Sequence, residues 1–231
     1  MDRTVLITGS TRGIGYATAV EFLKSSDRVV IFCRHKKHVE EAVERLSAVA
    51  MKKSILGLVG DVREQEDVKR IVSGCLKRFG RLDVLINNAG VAAYKPIEET
   101  TENEWDRIID TNLKGTFLFL RQVIPVMKRQ TTGVIMNISS ALGVEAEADF
   151  SAYCASKFGV IGLTKAIADE LSGLVIRAYA VLPWAVDTTL LAGTRLELDP
   201  ADLLTPEYVA RKIFEGAKGT KKSGSLIKVY P

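Results

Sequence analysis

The chain has 231 residues, 47% of them hydrophobic and 26% charged, with a net charge of +4. That supplies one well-buried α/β domain spanning 1–231 and too little for two; the Lys and Arg residues are scattered, which argues against a nucleic-acid surface, and no apolar stretch is long enough to cross a bilayer. Three widely spaced cysteines (Cys33, Cys75, Cys154) argue against a disulfide framework, and the chain enters a strand at once, so a cytoplasmic protein with no signal peptide is expected.

The first expected strand, 3–8, carries Val5-Leu6-Ile7 and breaks into Thr8-Gly9-Ser10-Thr11-Arg12-Gly13-Ile14-Gly15 before a helix over 13–24. A strand, a glycine-rich turn and a helix start together hold a pyrophosphate, because glycines let the backbone approach the anion and the helix end offers unpaired N–H groups. Gly9 permits the tight turn, Gly13 and Gly15 allow close approach and helix packing, and Ser10, Arg12 and Ile14 are placed to present polar groups or N–H to the ligand.

The second strand, 28–33, ends at Phe32-Cys33-Arg34, with no acidic residue before Glu40. A carboxylate there would bind a ribose 2′-hydroxyl; Arg34 with Arg12 instead suits a 2′-phosphate, in a field that His35, Lys36 and Lys37 make more positive. The expected cofactor is therefore NADP(H), the competing reading being that Arg34 caps a solvated turn. His35-x-x-His38, at the start of a helix over 36–50, reads as solvated surface, and no metal site is expected.

A third strand, 54–60, closes at Asp61-Val62, where Asp61 either accepts from an adenine amino group or caps the next helix, 64–79. A fourth, 82–86, closes at Asn87-Asn88-Ala89-Gly90, whose small residues leave room for a flat ring and ribose. The spacing then predicts one helix over 102–129, apolar around much of its circumference, which implies burial against a second subunit or deep in its own core.

Strand 132–138 leads to Ser139-Ser140, and helix 151–172 opens with Tyr153-Cys154-Ala155-Ser156-Lys157. Strand 175–181, helix 206–217 and strand 225–230 complete the alternation, with a basic turn at Lys218 to Lys222 before the last strand. The strands are continuous apolar runs such as Val29-Val30-Ile31-Phe32, as required of strands covered on both faces. The fold class is therefore a doubly wound parallel α/β sheet of about seven strands, with ligands at the carboxyl ends of the strands.

Tyr153 and Lys157, one helical turn apart, share a face. Reducing a carbonyl by hydride requires a proton on its oxygen, and a phenol is a reluctant donor with its usual pKa near ~10. A fixed ammonium beside it favours the phenolate and is expected to lower that value. Ser140, thirteen residues before Tyr153, is placed to orient the substrate oxygen.

With these residues in view the chain resembles the short-chain dehydrogenase/reductase family almost from end to end. The matching segments are Thr8-Gly9-x-x-x-Gly13-Ile14-Gly15, Asn87-Asn88-Ala89-Gly90, Asn112-Leu113-Lys114-Gly115, Ser139-Ser140 and Tyr153-x-x-x-Lys157. The resemblance implies a tetrad of Asn112, Ser140, Tyr153 and Lys157, with Tyr153 as general acid/base, Ser140 as substrate orienter and Lys157 as electrostatic and ribose anchor. It also implies that Asn112 holds a water relaying protons from Lys157. Arg12 matches the family's basic residue before the second glycine, and Arg34 matches the basic residue after strand two that marks its NADP-preferring members. Asp61, Val62, Asn88, Ala89, Gly90, Pro183, Val186 and Thr188 fall at its cofactor contacts.

Two departures stand out. Where the family usually has Pro-Gly, this chain has Pro183-Trp184, an indole that either walls the cleft or fills it. The substrate-lid segment, 189–205, is short, and the family's glycine-ending tail is missing; this weakens the expected tetramer contact but not a homodimer through 102–129 and 151–172. Segments 91–97, 141–150 and 184–203 should line the substrate cleft, mixing apolar Val91, Tyr94, Leu142, Phe150, Trp184, Leu190 and Leu191 with Glu145, Glu147 and Asp149. The expected activity is NADP(H)-dependent interconversion of a small or medium carbonyl compound and its alcohol, with no nucleic-acid or membrane partner. The alternatives are a non-catalytic NADPH-binding regulatory protein, or an epimerase or dehydratase of the same family.

Overall fold

A computed structural model describes residues 2–192 and 199–231. Its centre is a seven-stranded parallel sheet in the order β3-β2-β1-β4-β5-β6-β7. The strands are β1 (Thr4–Thr8), β2 (Arg28–Cys33), β3 (Ile55–Val59), β4 (Val84–Asn87), β5 (Thr132–Ile138), β6 (Val175–Pro183) and β7 (Leu226–Val229). In register, Val5 pairs with both Val29 and Val84, so β1 lies between β2 and β4. The chain leaves β1 toward one edge and returns to the other side of it, which opens a crevice at the carboxyl ends of β1 and β4.

Alternate strand residues face opposite layers. Val5, Ile7, Ile31 and Ile86 meet the layer of α1 (Gly13–Lys24), α2 (Lys36–Ser47) and α7 (Pro206–Lys218), packing around Phe22 and Ile213. Leu6, Val30 and Leu85 meet the layer of α3 (Gln65–Phe79), α5 (Gly115–Gln130) and α6 (Ser151–Glu170), packing around Ile71 and Phe119. All five β1 residues are buried, as the unbroken apolar runs require.

The helix expected over 102–129 is corrected. It divides into α4 (Glu102–Ile109) and α5, separated by a widened π turn over Asp110–Lys114. The cause is tertiary. Asn112 is buried inside that turn, its Oδ1 accepting from Val91 N at 2.8 Å and its Nδ2 donating to Val91 O and Ser156 Oγ, both at 2.9 Å. Residues added to a helical turn re-aim a side chain inward, a common device at functional sites.

Candidate active site

A cleft of about 630 Å³ runs along the carboxyl ends of the strands, from the glycine turn after β1 to the start of α6. At one end Gly9, at φ +61°, turns the chain so tightly that a Cβ there would lie 2.9 Å from Ala89 Cα. Gly15 faces the same packing, since a Cβ would stand 2.5 Å from Asn88 Nδ2. Thr8 and Asn88 tie the turn to β4. Thr8 Oγ1 accepts from Asn88 N and Ala89 N at 2.8 Å each, while Asn88 Nδ2 donates to Thr8 O and Gly9 O at 2.9 and 3.1 Å. Thr8→Val keeps the shape and deprives two N–H groups of their acceptor. We expect a loss of about 1–3 kcal/mol in urea unfolding, and an unchanged midpoint would contradict the bracing role.

Ser10 departs from its expected orientation. Its hydroxyl is buried, donating to Ile7 O at 2.7 Å and accepting from Phe32 N at 3.1 Å, so the side chain ties β1 to β2 instead of facing a ligand. Arg12 and Arg34 are exposed, line the cleft and have no side-chain hydrogen bond or ion pair among the described residues. Asp61 and Val62 line it too, but Asp61 does not cap α3, whose N-cap is Glu64. Its carboxylate is held by Arg63 at 2.7 Å. Burial alone would raise its pKa, but the Arg63 hydrogen bonds and charge, with the field of Arg34, outweigh that and hold it below the usual range.

Gly13, Ile14, Gly90, Pro183, Val186 and Thr188 also border the cleft. The glycine cradle, the free cations and the exposed start of α1, where no side chain caps the helix, are suited to a dinucleotide phosphate.

At the other end, β5 and α6 bring Ser140, Tyr153 and Lys157 together. The Ser140 hydroxyl hydrogen-bonds the Tyr153 phenol and also accepts from Leu142 N at 3.2 Å. Ser139, its neighbour, is spent on structure, donating to Lys157 O at 2.9 Å. Lys157 is buried, with Nζ donating to Ile138 O at 2.9 Å and lying 5.5 Å from the Tyr153 ring centre. A Cβ on Gly90 would stand 3.4 Å from Asn112 Oδ1 and 3.6 Å from Lys157 Nζ, so those two atoms face one point.

The expected lowering of the tyrosine is corrected. Burial pushes the Tyr153 phenol up to about 12 against the opposing Ser140 hydrogen bond, and burial also pulls the Lys157 amine down to about 8. Removal from water dominates both groups, and the further influences on the phenol are Ser140 and Cys154, with none from Lys157.

Trp184 forms part of the cleft wall, 38% exposed, with its ring edge-on to Tyr230 at 5.8 Å between centres. Val91, Leu142, Phe150, Leu190 and Leu191 line the same half, and Tyr94 packs edge-on against Phe150 at 5.1 Å. Of the three acids expected there, Glu147 lines the cleft, whereas Glu145 and Asp149 are not among its lining residues. Positions 193–198 of the lid lie outside the described residues.

Sequence reasoning missed a buried polar chain beneath the site. Asn87 Nδ2 donates to Asn137 Oδ1 at 2.8 Å, and Asn137 Nδ2 to Thr164 Oγ1 at 2.9 Å. Asn87 and Asn137 are register partners on β4 and β5, so two asparagines ending adjacent apolar strands were the available signal.

The short chain dehydrogenase family model matches residues 3–199. The chain is a short-chain dehydrogenase. It is 36% identical over 184 residues to a 3-oxoacyl-(acyl-carrier-protein) reductase FabG of Staphylococcus aureus, covering 79% of this chain and 74% of the relative. Levodione reductase superposes with a TM-score of 0.94 at 28% identity, over 100% of this chain and 96% of the other. ElxO with NADP bound gives 0.91 at 32%, over 99% and 97%. A 3-ketoacyl-(acyl-carrier-protein) reductase from Brucella melitensis complexed with NADH gives 0.90 at 30%, over 99% and 96%. This dehydrogenase is accordingly a nicotinamide-dependent oxidoreductase that interconverts a carbonyl and its alcohol.

Proposed function

We propose that the dehydrogenase is a single catalytic domain that prefers NADP(H) and acts on a small or medium carbonyl compound, with Tyr153 as general acid/base. The observation that carries the mechanism is the meeting of Ser140, Tyr153 and Lys157 at one end of a cleft whose other end holds two guanidinium groups with no partner among the described residues. Arg12 and Arg34 would clamp the 2′-phosphate, while Gly9, Gly13, Ile14 and Gly15 would shape the pyrophosphate turn. Asp61, Val62, Asn88, Ala89, Gly90, Pro183, Val186 and Thr188 would complete the contacts, with Ser10 contributing only through its backbone.

When bound, the nicotinamide supplies or accepts the hydride. In reduction, Ser140 holds the substrate oxygen against Tyr153, whose phenol proton passes to that oxygen, leaving phenolate and alcohol. The Lys157 ammonium stabilises the phenolate, and a water held between Asn112 and Lys157 returns the proton from solvent. A depressed lysine keeps its charge only below its shifted value, and the phenol at about 12 stays protonated throughout. Hence kcat/KM for the cofactor should hold below about pH 8 and fall tenfold per unit above it. A level profile to about pH 10 would remove Lys157 from this role.

The test of function is NADPH consumption with aldehydes, diketones, ketoesters and quinones, with NADH and Tyr153→Phe alongside. Tyrosine-dependent turnover favouring NADPH is the expected result. Product formation without net loss of NADPH would mean an epimerase or dehydratase instead.

The reading includes a homodimer or homotetramer through α4, α5 and α6. Phe117 and Phe158 leave 44% and 46% of their surface exposed, and Ala155, Gly162 and Ala166 share the outer face of α6 with Phe158. An apolar face of this kind is usually covered. Sedimentation should give a dimer or larger species that Phe158→Asp dissociates; a wild-type monomer would end this part of the reading. A cytoplasmic location is consistent with Cys33, Cys75 and Cys154 all being free thiols.

A further inference from the structure

The adenosine end of the cleft has a histidine at its rim. His38, in the first turn of α2, borders both the main cleft and a smaller hollow beside it, and Arg12 borders the same two. Thr11 is the third residue common to both hollows. His38 is exposed, has no hydrogen bond or ion pair among the described residues, and meets the His35 ring edge-on at 5.3 Å.

The charged groups around it come from four elements. The glycine turn contributes Arg12, and the end of β2 contributes Arg34 and the Cys33 thiol, which donates to His35 O at 3.4 Å. Within α2, Lys36 pairs with Glu40 at 3.7 Å and Lys37 with Glu41 at 3.9 Å, leaving Glu44 and Arg45. Arg45 donates to Thr11 O at 2.9 Å and lies over the Tyr16 ring at 4.2 Å. After β3, Asp61 is held by Arg63. Glu40, Glu41 and Asp61 are held by neighbouring cations, Glu44 lies on the side of the smaller hollow, and Arg12, Arg34 and His38 all border the main cleft. A dianion would fit there.

We propose that His38 is a third, proton-gated contact to the 2′-phosphate of NADP(H), so that discrimination against the unphosphorylated cofactor strengthens as pH falls. The inference rests on Arg12 and Arg34 forming the 2′-phosphate clamp. Guanidinium groups stay charged at every working pH, so the clamp alone imposes no such dependence. An imidazole gains its proton between pH 5 and 8. A histidine that acquires a dianionic partner on binding holds its proton more tightly in the complex. The extra affinity is therefore present at low pH and lost as pH rises through the histidine's range.

The phosphate's own titration acts in the opposite direction. It takes a proton near pH ~6, which weakens binding as pH falls. The two effects oppose each other in the measured ratio, and His38→Gln separates them by removing the first alone.

The experiment is calorimetric titration of the wild-type protein with NADP+ and with NAD+ between about pH 6.2 and about pH 8.5. The ratio of the two dissociation constants cancels whatever the cofactors share. We expect NAD+ to NADP+ discrimination to grow roughly 3- to 10-fold from the alkaline to the acid end, as for one exposed charge-assisted hydrogen bond. His38→Gln should make the ratio level or reverse its slope, converging on wild type at the alkaline end, while His35→Gln keeps the slope. Preference for NADP+ with a level wild-type ratio, or a slope that survives His38→Gln, overturns the proposal and leaves the arginine clamp standing. No preference for NADP+ at any pH overturns both.

Discussion

Tyr153→Phe is expected to lower kcat for carbonyl reduction by about 10²–10⁴-fold and leave cofactor affinity unchanged. The substitution removes one hydroxyl and keeps the ring, whose packing against Phe150 at 6.0 Å holds the start of α6 in place. The lost group is the phenol that hydrogen-bonds Ser140 and that the proposed mechanism uses as proton donor. Ser140 is a poor substitute, because an aliphatic hydroxyl is a far weaker acid than a phenol. Single-turnover measurement with preloaded NADPH isolates the chemical step, and calorimetry of cofactor binding isolates the rest. Turnover within a few-fold of wild type would sink the mechanism. A parallel collapse of cofactor affinity would instead mean that the phenol braces the nicotinamide end and that the kinetic loss is indirect.

Most of this architecture is written in local sequence. Unbroken runs such as Val29-Val30-Ile31-Phe32 can be satisfied only between two helical layers, and the glycine turn after Val5-Leu6-Ile7 marks where the first layer begins. The divided helix is different. Ile108, Leu113, Phe117 and Leu120 continue an apolar helical pattern straight through the π turn, so periodicity carries no trace of it. What opens the turn is Asn112 reaching Val91 and Ser156, contacts 21 and 44 residues away in the chain.

Ser10 shows the same limit at smaller scale. A polar residue in a phosphate-binding turn reads as a ligand contact, but the β1–β2 junction leaves Phe32 N needing an acceptor, and Ser10 is the group that supplies it. The tyrosine–lysine pair shows it in energy. Spacing places the two side chains on one face and reveals nothing of the depth at which α6 buries them, and depth sets both titrations. Residue identity was legible wherever the chemistry is a matter of type and spacing. It was silent wherever a group serves a partner distant in the chain.

Arg34→Asp is expected to shift the ratio of NADPH to NADH affinity toward NADH by roughly 10²–10³-fold. Two changes add. Loss of a charge-assisted bond to the 2′-phosphate costs about 1.5–3 kcal/mol, or roughly 10- to 100-fold, before any repulsion from the new carboxylate. The carboxylate also gains a bond to the ribose 2′-hydroxyl of NADH, about 0.5–1.5 kcal/mol, or a few-fold. Stability should be nearly untouched, because Arg34 is exposed and has no side-chain partner among the described residues. The control is Arg34→Gln, which abolishes the attraction without adding a negative charge and should shift the ratio by the first factor alone. Asp61 sharpens the comparison, since Arg34 contributes to the field holding its carboxylate ionised, and an aspartate at position 34 adds a negative charge in that field. If both variants bind NADPH and NADH as the wild type does, Arg34 is only a solvated turn residue and cofactor choice is made elsewhere.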